Sequence, residues 1–237
     1  MTVAGFRPGL FADGIRFVAD NPGLLAEKTG EHLVLSGAAI GVALVLAIPA
    51  GVVLGHLHRG SFLAVNVGNV GRALPSLALI AIGVAFLGIG FANVLVALVV
   101  LAVPPMLTNA YVAVDEADAE AVEAARGMGM SPLQVLLRVE LPLAAPLLFA
   151  GIRTASVYVV ATATIAAIAG GGGLGDVIVN QASYRLAGVI GAALCVSALA
   201  LAVDGLFAAL QRAVTPAGLR APVPPLEPEV GHARIAL

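Results

Sequence analysis

Between Arg72 and Asp115 the chain carries no charged side chain, and a second uncharged run extends from Leu33 to Gly55. A helix needs about 20 consecutive apolar residues to cross the ~30 Å hydrocarbon core of a bilayer. There the backbone can bond only to itself, so helices are the economical solution. The Leu33 to Gly55 run suits one crossing. The run after Arg72 is too long for one, and Gly88, Gly90 and Asn93 interrupt it, so it reads as two helices joined by a tight turn. Hydrophobic residues make up 60% of the sequence and charged residues 11%, with a mean hydropathy of +1.03. No water-soluble domain has that balance. The expected fold class is all-α, a polytopic bundle of about five transmembrane helices.

The expected spans are 33–55, 62–88, 92–113, 142–170 and 186–210, within a transmembrane domain at 31–211. Pro75 is expected to kink the second span, and Pro104 with Pro105 the third, where neighbouring helices can satisfy the freed carbonyls. Arg153 has to be buried or to snorkel if the fourth span begins near Pro142, and Asp204 is expected near the cytoplasmic boundary of the last. Residues 1–30 form an N-terminal interfacial segment in which Phe11, Ile15 and Val18 fall at helical spacing. Asp13, Arg16 and Asp20 interrupt that region and disfavour a cleaved signal peptide. Residues 212–237 are a polar, proline-rich tail, expected to be flexible.

Against this apolar background, Asp115, Glu116, Asp118, Glu120, Glu123, Arg126, Arg138 and Glu140 cluster in one segment, 115–142. Acidic residues crowd its start, Arg126 follows, and Gly127 and Gly129 come next, the order that suits a helix dipole and a glycine C-cap. Ser131, Pro132 and Gln134 then supply an N-cap, a first-turn proline and a capping box. The pattern predicts a helix, a glycine turn and a second helix running into the membrane. Such a unit is either a knob for a soluble partner or an ordinary connecting loop.

The stretch Glu123 to Ile152, EAARGMGMSPLQVLLRVELPLAAPLLFAGI, resembles the EAA loop of binding-protein-dependent ABC importer permeases. That pattern is Glu-Ala-Ala, three residues, Gly, nine residues, an aliphatic residue, one residue, then Leu-Pro. Glu123, Ala124, Ala125, Gly129, Val139, Leu141 and Pro142 fill it, with valine where isoleucine is usual. LPSLALIAIGVAFLGIG (Leu74 to Gly90), GIRTASV (Gly151 to Val157) and AAIAGGGGLGDVI (Ala166 to Ile178) are similar to the osmoprotectant subgroup, importers of glycine betaine, carnitine or choline. The resemblance covers roughly residues 31–210. It implies that the loop carries a coupling helix for an ATPase subunit dimer, that an extracytoplasmic substrate-binding protein selects the substrate, and that a second permease copy or paralogue completes the path. A methionine-type amino acid importer is the nearest alternative, and a self-sufficient secondary transporter a more distant one.

The residues set limits on what the chain does alone. A phosphate-cradling loop needs a lysine after its glycines, and Lys28 is the sole lysine. The chain is therefore expected to be no enzyme, with ATP and Mg bound by the partner ATPase and no cofactor of its own. The run Gly170 to Gly173 is expected to be a flexible loop or a close-packing element. A net charge of −2 gives no electrostatic case for nucleic acid, and membrane lipid is the obligatory surrounding. The single Cys195 excludes an intramolecular disulfide, and no metal site is expected at His56 and His58, where interfacial solvation is the simpler reading. Quaternary ammonium ions are commonly held in aromatic cages. With no Trp and 5% aromatics, the chain is not expected to build one. Arg72, Ser76 and Asn109 are polar at membrane depth and are the candidates for the substrate path, although such groups also bond across helices. If segment 115–142 is cytoplasmic, five spans place the N-terminus outside. Arg59, Arg126, Arg138, Arg212, Arg220 and Arg234 then lie inside, against Arg7, Arg16, Lys28 and Arg185 outside, a small excess in the expected direction.

Overall fold

The computed structural model describes residues 9–215, and among them every regular element is helical. In chain order these are α1 (Gly9–Asp20), α2 (Pro22–His56), α3 (Ser61–Ala73), α4 (Ser76–Leu87), α5 (Phe91–Asp115), α6 (Ala119–Gly127) and α7 (Pro132–Val135). A π-helical turn (Leu136–Glu140), α8 (Leu141–Thr162), a 3₁₀ segment (Ala163–Ala169), α9 (Leu174–Val179) and α10 (Gln181–Val214) follow. Four continuous helical stretches are long and apolar enough to cross a membrane: Pro22–His56, Phe91–Asp115, Pro132–Ala169 and Gln181–Val214. The segment expected as one span, 62–88, instead holds two shorter helices, α3 and α4, of 13 and 12 residues.

The core is built on α2 and α5. In α2, Leu35, Ala39, Ala43, Ala47, Gly51 and Gly55 recur every four residues and are all buried. That spacing puts them in one row. A Cβ on Gly51 would lie 2.7 Å from the Leu107 carbonyl oxygen, and one on Gly55 2.7 Å from that of Tyr111, so the row brings the two backbones into contact. Val94, Leu98, Ala102, Met106 and Ala110 form the facing row of α5. Lipid tails are as apolar as these side chains, so close packing of small residues, rather than removal from water, holds such helices together. The same device recurs where Gly71 of α3 meets Pro104, and where Gly151 of α8 meets Asn109.

Several boundaries differ from those expected. α2 begins at Pro22, a turn and more before the uncharged run, and the charges inside it are paired: Lys28 with both Glu31 and Asp176, and Glu31 also with the Gly173 N–H. Residues 22–30 are therefore continuous with the long helix α2. α1 packs on α10: Phe17 stacks edge-on against Tyr184 at 6.3 Å, and a Cβ on Gly14 would strike Ile190. Phe11 and Ile15 face outward. Residues 1–8 of that segment lie outside the described residues.

Pro75 ends a helix where a kink was expected. Leu74 before it is extended (φ −71°, ψ 119°), the conformation that a following proline ring favours, so 62–88 is two helices. α10 starts at Gln181, breaks at Arg185 (φ 56°, ψ −179°) and continues to Val214. Its helix thus extends into the first residues of the expected tail, the remainder of which, from 216, lies outside the described residues.

Candidate functional site: the charged knob and the helix ends beneath it

The charged segment folds into a small unit with its own core. Asp118 caps α6 by accepting the Ala121 N–H at 3.0 Å, and Arg126 stands in the last turn. Gly129 then turns the chain at φ +82°, a conformation that costs an L side chain about 1–2 kcal/mol. Space is not the reason for glycine there, since a Cβ would meet nothing within 4 Å. Ser131 accepts the Gln134 N–H, and the Gln134 side chain accepts the Ser131 N–H at 2.8 Å, completing the capping box. Val122, Ala125 and Val135 pack together between the two helices, with Ala117, Met130 and Val139 against them.

The family-pattern residues divide by role in this geometry. Ala125 is buried in the small core and Val139 lies at its edge. Leu141 packs below, on the membrane-side cluster that includes Ala113, Val114 and Ala144, and Pro142 enters α8 at its first turn. Glu123 and Ala124 are exposed. The large apolar side chains of Met128 after α6, Leu133 in α7 and Leu137 in the π-helical turn are exposed as well, at 71%, 62% and 55%.

Beneath the knob, two histidines missed as structural elements tie helix ends together. His56 Nδ1 lies 2.6 Å from Glu140 Oε2, and His58 Nδ1 lies 2.8 Å from Asp115 Oδ1. These pairs are separated by 84 and 57 positions in the sequence, so no local spacing could have announced them. A cavity of about 230 Å³ between them is lined by His58, Asp115, Glu123, Arg126 and Glu140.

The three path candidates stand on three different helices. Arg72 lies in the last turn of α3, and its side chain is outside those described. Ser76 opens α4 on the other side of the Pro75 break and is half-buried. Asn109 sits on the α5–α8 seam and donates to the Pro105 carbonyl of its own helix at 2.8 Å. Sequence reasoning passed over Asn66 and Asn69, which are exposed on α3. Their two asparagines, three apart in an apolar stretch, were the available signal.

At the other end of the bundle the glycine run is a close-packing element. Gly170, Gly172 and Gly173 all have positive φ, and Gly173 donates its N–H to Glu31 at 2.8 Å. Lys28 joins Glu31 and Asp176, at 2.9 Å to each. His32, fully buried, donates from Nε2 to the Val160 carbonyl at 2.9 Å.

Residues 43–216, which include the knob and most of the bundle, match a known family model, that of the binding-protein-dependent transport system inner membrane component. The chain belongs to that family. It is 38% identical over 207 residues to the choline transport system permease protein OpuBB of Bacillus subtilis, covering 87% of this chain and 95% of that one. It is 38% identical to the glycine betaine/carnitine/choline transport system permease protein OpuCB of the same organism, with coverages of 86% and 94%. The osmoprotectant import permease protein OsmW of Salmonella typhimurium is 36% identical, with coverages of 88% and 100%. Among solved structures, an inward-facing MetNI methionine ABC transporter chain superposes with a TM-score of 0.71 at 24% identity, covering 81% of this chain and 97% of that one. That likeness establishes the fold. The protein is thus a multi-pass inner-membrane permease component of a binding-protein-dependent ABC import system.

Proposed function

We propose that this permease imports a quaternary ammonium osmoprotectant of the glycine betaine, choline or carnitine type, driven by a separate ATPase dimer that docks on the 115–142 knob. The observation that carries the coupling half is the exposure of Met128, Leu133 and Leu137 on a segment of two capped helices whose α6 also exposes Glu123 and Arg126. Glu123, Ala124 and Gly129 form the docking face. Ala125, Val139, Leu141 and Pro142 transmit its displacement to α8. ATP and Mg belong to the partner, and this chain contributes no catalytic group.

The substrate half rests on relatives whose names specify choline, carnitine, glycine betaine or osmoprotectants. An extracytoplasmic binding protein selects the substrate, consistent with a chain that has no Trp for a cation cage. The path runs between two permease copies or a copy and a paralogue, along the α3–α4 face that carries Asn66, Asn69 and Ser76, with Arg72 nearby. The knob is cytosolic, and α1 lies toward the outer face.

Uptake of radiolabelled glycine betaine, choline, carnitine and methionine into proteoliposomes holding the permease, its ATPase and its binding protein tests this reading. ATP-dependent uptake of a quaternary ammonium compound is expected. Methionine uptake alone overturns the substrate assignment, and uptake without the ATPase overturns the class.

A further inference from the structure

Glu140 is 2% exposed, a carboxylate almost wholly removed from solvent. It ends the π-helical turn Leu136–Glu140 that joins the knob to α8. A π-turn interrupts the α-helical register with a wider turn, a feature that recurs at functional positions. The side chain meets His56, the last residue of α2, at 2.6 Å. A buried carboxylate is tolerated only when it is paired, and a short bond to an imidazole is hard to break without leaving it stranded. The neighbouring His58–Asp115 contact is different: His58 is 57% exposed, and solvent-exposed contacts of this kind contribute little. Of the two contacts, the buried one is the mechanical one.

The geometry also says what the contact connects. The knob is covalently continuous with α5 before it and α8 after it, whereas α2 reaches it through space alone. Gly55, beside His56, lets the last turn of α2 press against Tyr111, Val114 and Asp115 at the end of α5. Glu140 then closes the third side. Glu123 and Arg126 of α6 line the same cavity as Glu140, so the docking helix stands directly over the clasp.

We propose that Glu140 and His56 are positioning residues whose contact stays closed through the transport cycle and makes α2 move with the coupling segment as one body. This rests on the knob being the ATPase docking site. Loss of the contact is expected to leave the docking face intact while the displacement is dissipated at the junction.

The test uses the complete complex in proteoliposomes, in a Cys195→Ser background. His56→Ala and Glu140→Ala are expected to co-purify with the ATPase and hydrolyse ATP basally. Stimulation by loaded binding protein and transport per ATP should each fall at least about tenfold. The double variant should be no worse than either single, as expected for two residues acting through one contact. Glu140→Gln and His56→Asn, which keep a hydrogen-bonding group in place, should restore most of the coupling. In a His56→Cys, Glu140→Cys pair, transport should be low when the thiols are free and recover when a short bis-methanethiosulfonate bridges them. This last arm also applies if the alanine variants fail to fold. Normal coupling in the alanine variants, additive losses in the double, or a bridged pair no more active than the free one overturns the inference. Glu123→Arg separates it from the underlying reading: an intact ATPase complex in that variant defeats the docking assignment itself. Dissociation there together with normal coupling in His56→Ala defeats only the clasp.

Discussion

Arg153 donates to both carboxylate oxygens of Asp204, through Nε at 2.5 Å and a terminal nitrogen at 2.6 Å, and so fastens α8 to α10. The geometry is the planar, two-pronged one that arginine forms with a carboxylate. Both residues lie on apolar helices, where a charge without its partner is expensive. The sequence suggested two separate solutions, a snorkelling arginine and an aspartate at the boundary, but the two residues solve one another's problem.

Removing either partner strands the other. Arg153→Leu and Asp204→Leu are each expected to lower the thermal midpoint of the detergent-purified protein and the amount that inserts. Arg153→Leu with Asp204→Leu is expected to recover most of both, since paired apolar replacement leaves no charge behind. A double variant as poor as the worse single would show that the ion pair itself is required. Thermal unfolding followed by size-exclusion chromatography reads the difference.

Gly129 is required for its backbone. Its φ of +82° and the open space around it mean that alanine costs conformational energy of about 1–2 kcal/mol without any clash. Asparagine, which visits the left-handed region more readily, should cost less. The expected order of ATPase co-purification and of transport is Gly129, then Gly129→Asn, then Gly129→Ala, then Gly129→Val. A series that followed side-chain volume alone, with asparagine worse than alanine, would contradict this account.

α2 provides an internal control for close packing. A Cβ at Gly51 or Gly55 would intrude to 2.7 Å on α5 backbone, while at Gly37 or Gly41 it would meet nothing within 4 Å. Gly51→Ala and Gly55→Ala should therefore force the helices apart, at the cost of about 1–3 kcal/mol typical of overpacking. Gly37→Ala and Gly41→Ala should leave the thermal midpoint unchanged or raise it, because alanine favours the helix. Melting curves of the four variants in one detergent check the contrast.

What the sequence disclosed and what it concealed follow from the range of the interactions. The capping box at Ser131 and Gln134, the turn at Gly129 and the break after Leu87 depend on neighbours within a few residues, and each was readable in advance. Lys28 and Glu31 misled because charge usually marks the end of a membrane helix. Here each has a partner, and the partner Asp176 lies 148 positions from Lys28. α9 escaped because it is six residues long and sits behind glycines. His56 and His58 looked like solvated turn residues until the fold placed carboxylates beside them. The Pro75 break was the one local misreading: proline inside an apolar run can kink a helix or end it, and the extended Leu74 ends it.

The length of α2 determines which residues share a side of the membrane. From Lys28 to His56 is 28 residues (56 − 28), which at 1.5 Å each is about 42 Å, more than the ~30 Å hydrocarbon core. The two ends therefore lie on opposite faces. His56 contacts Glu140 at the base of the knob, and Lys28 contacts Asp176 beside α9. The knob and α9 must then be exposed on opposite sides. Cysteines placed singly at Ser131 and at the exposed Val179, in a Cys195→Ser background, separate these faces. A membrane-impermeant maleimide added to intact cells should label Val179→Cys, and should reach Ser131→Cys only after the membrane is opened. Labelling of both from the same side would contradict the placement of the two ends of α2 on opposite faces, and labelling of Ser131→Cys alone from outside would invert the orientation and remove the knob from reach of a cytosolic ATPase.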